Sequence, residues 1–279
     1  MKREILLTAF SFAMSTVLAL SGHGQQSPPQ PAPVSSKSLQ ELAKDVLNPF
    51  ADSIKVPIQF TAGFGVGPRD NVGESLNLEP VIPFSLNSYW DLIVRPNVNL
   101  AYAPSPHAQF GLQDLQASFF LTPSKTNVWI WGIGPIFQVP SATAKLLGSG
   151  RWSAGPTAAL IYSEGPWFNA ILTYQLMSFG GDRDRGSVNL TYIEPLVSYN
   201  FESGWTAQCD PAMTFDWTAD SAHAWTIPIG ADVGKTFQIG ERVTSLQVGA
   251  YDYLKYPNGA PKWTVRAQMT FLLPPPNRW

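Results

Sequence analysis

Charge is scarce in this sequence. Asp, Glu, Lys and Arg supply 14% of its 279 residues, 18 basic against 20 acidic, for a formal net charge of −2. Soluble proteins carry roughly 25%. No Lys/Arg run and no basic excess is present to attract a phosphate backbone, so no nucleic-acid partner is expected. Histidine is nearly missing: His23, His107 and His223 are the three, and none has a second ligand at metal spacing, so neither a metal nor another cofactor is expected. The single cysteine, Cys209, can form no internal disulfide. Its place on the apolar phase of a predicted strand makes it a small apolar residue rather than a nucleophile. After the first twenty residues there is no hydrophobic run of membrane-helix length.

The run that does exist reads as a signal. Lys2 and Arg3 precede an apolar stretch from Ile5 to Leu20, followed by Ser21, Gly22 and Gly24, the order of a Sec-type signal peptide with cleavage near Ser21 to Gly24. No cysteine follows the stretch, so lipid attachment there is not expected. The expected organisation is a signal peptide over 1–22, a Pro/Gln-rich spacer with a short amphipathic helix over 23–47, and one large domain over 48–279. Leu39, Leu42, Ala43, Val46 and Leu47 recur at helical spacing up to Pro49, which stops the helix. That helix is expected to cap the domain on its periplasmic side, with a plug or partner-binding role as the alternative.

What the sequence has in quantity is alternation. From Trp263 to Phe271, apolar Trp263, Val265, Ala267, Met269 and Phe271 interleave with Thr264, Arg266, Gln268 and Thr270. The same period of two runs through 54–64, 91–102 and 205–217, and means strands with one wet and one apolar face. A soluble sandwich shares that pattern, but its strands usually run about 5 or 6 residues, whereas a tilted membrane crossing takes about 9 to 11. These runs are long, and Trp and Phe are plentiful while mean hydropathy stays near zero. The fold expected is all-β: a transmembrane antiparallel up-and-down β-barrel of about twelve strands.

Strands are placed at 54–66, 75–85, 90–102, 112–122, 127–139, 150–163, 166–178, 188–200, 204–217, 224–238, 242–254 and 262–272. Connections at 67–74, 103–111, 140–149, 179–187, 218–223 and 255–261 are longer or more polar than those at 87–89, 123–126, 164–165, 201–203 and 239–241, which matches extracellular loops alternating with periplasmic turns. The loop Pro140–Ser149 is a candidate for narrowing the mouth. Pro80, Pro83, Pro96, Pro135, Pro156, Pro195, Pro211 and Pro228 fall inside these strands, and each implies a bulge or a weakened ladder bond.

The search for reactive groups is short. Ser221 and His223 could be imagined as a rim-type lipid hydrolase, but they sit two residues apart in a loop with no supporting base. In Gly180 to Gly186, Asp182 and Asp184 are interleaved with Arg183 and Arg185, which reads as a hydrophilic loop rather than a calcium site. Gly63, Gly65 and Gly67 lack the following helix and lysine of a phosphate cradle. No catalytic residue is expected. Glu79, Arg95, Glu194, Asp210, Asp216, Asp232, Lys235 and Arg266 are instead assigned to the lumen, where burial demands pairing or water. Their mixed signs argue against strong ion selectivity. Trp152, Trp167, Trp205, Trp217, Trp225 and Trp263 lie near strand ends, where interface anchors belong.

A set of segments also carries a resemblance: Asn48 to Asp52, Val81 to Asn87, Gln116 to Phe120, Trp129 to Pro135, Leu147 to Gly150, Gly155 to Thr157, Ser178 to Asp182, and the ending Trp263…Arg266…Phe271-Leu272-Leu273-Pro274. Together they resemble the bacterial outer-membrane proteins labelled "transporter" or, misleadingly, "neuromedin U", related to the barrels of the MetA pathway of phenol degradation. The resemblance covers nearly all of the chain after about residue 48 and departs in the tail 275–279, so either Phe271 or Trp279 could serve as the assembly signal. It implies a transport role and supplies no catalytic residues. The expected reading is a passive bacterial outer-membrane channel or facilitator for a small aromatic or otherwise hydrophobic solute, with outer-membrane lipid and the barrel assembly machinery as partners. A closed structural or adhesion barrel with a salt-bridged lumen is the alternative, and a lipid hydrolase comes third.

Overall fold

The computed structural model describes residues 37–125, 127–240 and 242–274. The signal segment, nearly all of the spacer and Trp279 lie outside these residues. One helix, α1 (Leu39–Leu47), precedes fifteen strands: β1 (Ile54–Val66), β2 (Asn71–Leu78), β3 (Ile82–Ser85), β4 (Trp90–Ala103), β5 (Gln109–Leu112), β6 (Leu115–Pro123), β7 (Trp129–Val139), β8 (Arg151–Glu164), β9 (Trp167–Gly181), β10 (Asn189–Asn200), β11 (Trp205–Cys209), β12 (Met213–Asp216), β13 (Trp225–Ile239), β14 (Arg242–Lys255) and β15 (Trp263–Leu273).

Three pairs of these are single barrel strands broken once: β2 with β3, β5 with β6, and β11 with β12. Both halves of each pair lie on the same neighbour, as β2 and β3 do on β4. The fifteen segments therefore make twelve barrel strands. Every pairing is antiparallel, and β1 runs beside β15 from Ile54↔Leu273 to Phe64↔Trp263, which closes the sheet on itself. Closure leaves no long unpaired edge.

The breaks and lapses follow the prolines unevenly. Pro80 and Pro211 stand in the gaps between β2 and β3 and between β11 and β12, and the register shifts at Pro228. Cα pairing lapses beside Pro135 and beside Pro156. At Pro96 and Pro195 it continues on one side and lapses on the other, where Pro96 faces the gap between β2 and β3 and Pro195 the gap between β11 and β12, so at these two the ladder is weakened and keeps its register.

The outer face is apolar and open. Ile133, Leu160, Ile171, Val197, Ile229, Val233 and Val248 all point away from the lumen and are exposed, an arrangement that costs heavily in water and nothing in hydrocarbon. Aromatic side chains gather at both ends of this band. Trp152, Trp217, Trp225 and Trp263 sit at the end of the long loops, where Trp263 stacks on Phe64 at 4.1 Å and Trp225 packs on Phe215. Trp167 and Trp205 sit at the opposite end, joined by Trp129, Tyr162 and Tyr199.

Helix α1 enters that second end. Ser38 caps it: the Glu41 amide donates to Ser38 Oγ at 3.2 Å and the Ser38 amide donates to Glu41 Oε2 at 2.7 Å. These bonds hold the Glu41 carboxyl below its ordinary value. The apolar stripe that set the helical period, Leu42, Ala43 and Val46, is buried against the barrel. Gln40 Nε2 donates to the Asn200 carbonyl at 2.6 Å and Lys44 Nζ to the Gly165 carbonyl at 2.9 Å, which tie the helix to two turns of the rim. Gly204, at φ +81°, makes one of those turns beside Leu39.

Candidate functional site in the barrel lumen

Inward-facing side chains change character along the barrel. Near the helix end they are apolar: Val81, Ile93, Phe120 and Ala159 form one buried cluster, and Ile130, Ile161 and Phe168 a second. Phe50, just beyond α1, packs against both, meeting the Phe120 ring edge-on at 5.7 Å. Gly132 makes the seat, because a Cβ there would stand 2.6 Å from the Phe50 ring. Val46, Leu47 and Pro49 complete a floor.

Above that floor lies a cavity of about 430 Å³ with a polar wall. A liquid water occupies about 30 Å³, so this space holds about a dozen. Two arginines dominate it. Arg95 Nη2 lies 3.0 Å from Glu79 Oε1. Arg266 donates through Nε to Asp232 Oδ1 at 2.7 Å and through Nη2 to Asp210 and to the Tyr251 hydroxyl, while Tyr251 Oη lies 2.6 Å from Asp210 Oδ1. The Arg266 guanidinium also stands 4.4 Å from the centre of the Tyr251 ring. Three strands, β13, β14 and β15, and Asp210, the residue that follows β11, are thus tied through one cation. Amide side chains extend the same layer: Gln268 donates to Gln247 and Gln247 to Gln208 at 3.1 Å.

The structure gathers Glu79, Arg95, Glu194, Asp210 and Arg266 on the cavity wall, with Asp232 buried directly behind Arg266. It does not bring Asp216 or Lys235 there. Asp216 ends β12 and accepts from the Thr218 amide at 2.8 Å, capping the loop. Lys235 is a correction: it lies three residues after Asp232 on one continuous strand, so the two face opposite sides. Its ammonium sits 5.3 Å from the Trp205 ring on the outer face and donates to the Ser203 carbonyl, a lysine reaching along the surface toward the rim.

Several residues in the site carry no sequence signal of their own. Tyr251 falls on the inward phase of β14, and Tyr174 and Tyr192, paired across β9 and β10, stack at 4.6 Å with 5° between rings in the cavity wall. Lys55, on the inward phase of β1, donates to the Asn48 carbonyl at the floor. Period two is the signal that could have found them, since each shares the inward phase of its strand, but an aromatic residue on that phase is not told apart from an apolar one.

The opposite mouth is narrowed by a loop. Asp114 accepts from the Ala142 amide at 3.1 Å, the Ser149 amide at 2.6 Å and Ser149 Oγ at 2.8 Å. Thr143 and the Leu112 backbone bond each other, which lays Thr143 over the inward side of Gly111, where a Cβ would meet Thr143 Oγ1. Leu147 is buried there, and Arg185 donates to the Ser149 and Lys145 carbonyls. His223 lies in an exposed loop with Nδ1 2.8 Å from Asp220 Oδ1; its neighbour is a carboxylate rather than Ser221. Among the described residues no group of three or more His, Cys, Asp or Glu could hold a metal ion.

No protein-family model matches this sequence, and no curated protein matches it at a significant level. Solved structures do. An outer membrane channel from Pseudomonas putida F1 aligns with a TM-score of 0.62 at 12% identity, covering 90% of this chain and 100% of that one. The NanC porin aligns with a TM-score of 0.52 at 12% identity, covering 79% and 100%. Identities this low speak for the fold, and the fold this chain shares is that of outer-membrane β-barrel channels.

Proposed function

We propose that this chain is a bacterial outer-membrane channel or facilitator through which a small solute diffuses along the barrel lumen. One observation carries the reading: between the floor and the loop Pro140–Ser149 the barrel keeps a polar cavity of about 430 Å³, where a barrel of purely structural use has its interior filled by side chains. An apolar outer band between two aromatic girdles supports placement in lipid, and the charged-then-apolar start of the sequence supports export by the Sec route with delivery to the barrel assembly machinery. The similar Pseudomonas putida F1 protein is described as an outer membrane channel, which supports the same class. The sequence resemblance to the "transporter" family narrows the solute to a small aromatic or otherwise hydrophobic molecule.

A second reading, a closed structural or adhesion barrel, draws on the floor built by α1 and Phe50 and on the inward loop, which narrow the two mouths. Single-channel current from the refolded mature protein, after heat-modifiable gel migration has established folding, separates the two. Discrete ohmic steps support the channel. Silence from folded protein supports the closed barrel.

A further inference from the structure

The lumen charges do not balance. Arg266 serves two carboxylates, Asp210 and Asp232. Arg95 pairs with Glu79, while Glu194 stands in the field of the same arginine, and no cation among the described residues comes within ion-pairing distance of it. Each arginine therefore faces two carboxylates, leaving one negative charge over in each cluster. Lys55 adds a positive charge at the floor, where its ammonium is spent on the Asn48 carbonyl; three cations against four carboxylates still leave an excess of one.

An uncompensated carboxylate beside a low-dielectric wall holds a counter-cation or loses its charge. The cavity offers room for the first. Tyr174 and Tyr192, stacked on each other, stand in the same wall as Glu194. Carboxylates beside aromatic side chains are groups that recognise an ammonium on a compact apolar body. We infer that the mid-lumen cavity is a binding site for small organic cations, with Glu194 and Asp210 as the residues that select for positive charge. This rests on the channel reading for its role in passage and not for its existence. The competing attraction is Arg95, whose Nε has no partner and would draw an anion instead.

The test titrates the folded mature chain in detergent micelles by isothermal calorimetry with benzylammonium and, separately, with benzoate, which has the same ring and the opposite charge. Benzylammonium is expected to bind at least tenfold more tightly. Glu194→Gln, which breaks no ion pair, and Asp210→Asn are each expected to weaken it about tenfold with heat-modifiable migration unchanged. Equal or tighter benzoate binding, binding of neither probe, or unchanged benzylammonium affinity in both variants overturns the site. Bilayer recordings of the same preparation keep the two proposals apart. A silent barrel that binds benzylammonium retains this site and removes the channel, and ohmic current without that binding does the reverse.

Discussion

The two halves of the lumen solve one problem in opposite ways. Near α1 the interior is dry: Ile93, Phe120, Ile161 and Phe168 close on Phe50 and Leu47 as a small core, stabilised by removing apolar surface from water. A few residues further along the same strands it is polar, and Arg95 and Arg266 are each held to carboxylates around an unfilled space. The dry half makes a seat for an inserted segment. The polar half makes a place that something else can occupy. The change occurs within single strands, as on β4 from Ile93 to Arg95 and on β10 from Leu196 to Glu194.

Removing charge from the polar half should cost most. Arg266→Ala strands Asp210, Asp232 and the Tyr251 hydroxyl together, and is expected to destabilise the barrel by about 3 kcal/mol, the lower end for a broken buried pair because the cavity admits water. Denaturant unfolding in detergent measures it, and a loss under about 1 kcal/mol would mean that the cluster is fully hydrated. In the dry half, Phe50→Ala should cost about 2–3 kcal/mol for a partly buried ring and raise single-channel conductance as the floor loosens. Gly132→Ala, which crowds the same ring, should raise conductance as well. Equal conductance in both variants and the parent would show that the passage avoids the floor.

Asp114→Ala, which removes three bonds to the loop 140–149, should cost about 1–2 kcal/mol and lengthen or enlarge open states without altering the fold. Unchanged current would dissociate that loop from the mouth. The smallest effect belongs to the helix cap. Ser38→Ala is expected to cost about 1 kcal/mol of helix docking. Because Glu41 titrates below its ordinary value when capped, its contribution is fully present above that value and is lost as pH falls through the depressed one. Acid should therefore increase conductance of the parent and leave the Ser38→Ala variant less responsive, as read from currents across that pH range.

Much of the barrel was legible beforehand because period two is a local property. The ends of β1 and β4 fall within a residue of the alternation in 54–66 and 90–102. Where the sequence expected one strand across 204–217, the structure has two, since Pro211 removes a ladder donor between Asp210 and Ala212. Phase was less secure than existence: Asp232 and Lys235 cannot share a face on an unbulged strand, yet both are charged, and charge alone assigned them to one lumen. The prolines at 96 and 195 weaken the ladder on one side, as expected, without a bulge, because the pairing on the other side holds the register.

The sequence by itself determined that this chain makes long strands with one apolar and one polar face, that a short amphipathic helix precedes them, and which charged groups are available to the interior. These depend on neighbours two to four residues apart. Only the tertiary structure decided that the interior is divided, with α1 and Phe50 inserted at one end, the loop 140–149 folded over the other, and Arg266 shared between carboxylates from two further strands. Those contacts join residues tens to hundreds of positions apart, and their partners are set by closure of the sheet and its register, which place side chains around a circle that no local pattern describes.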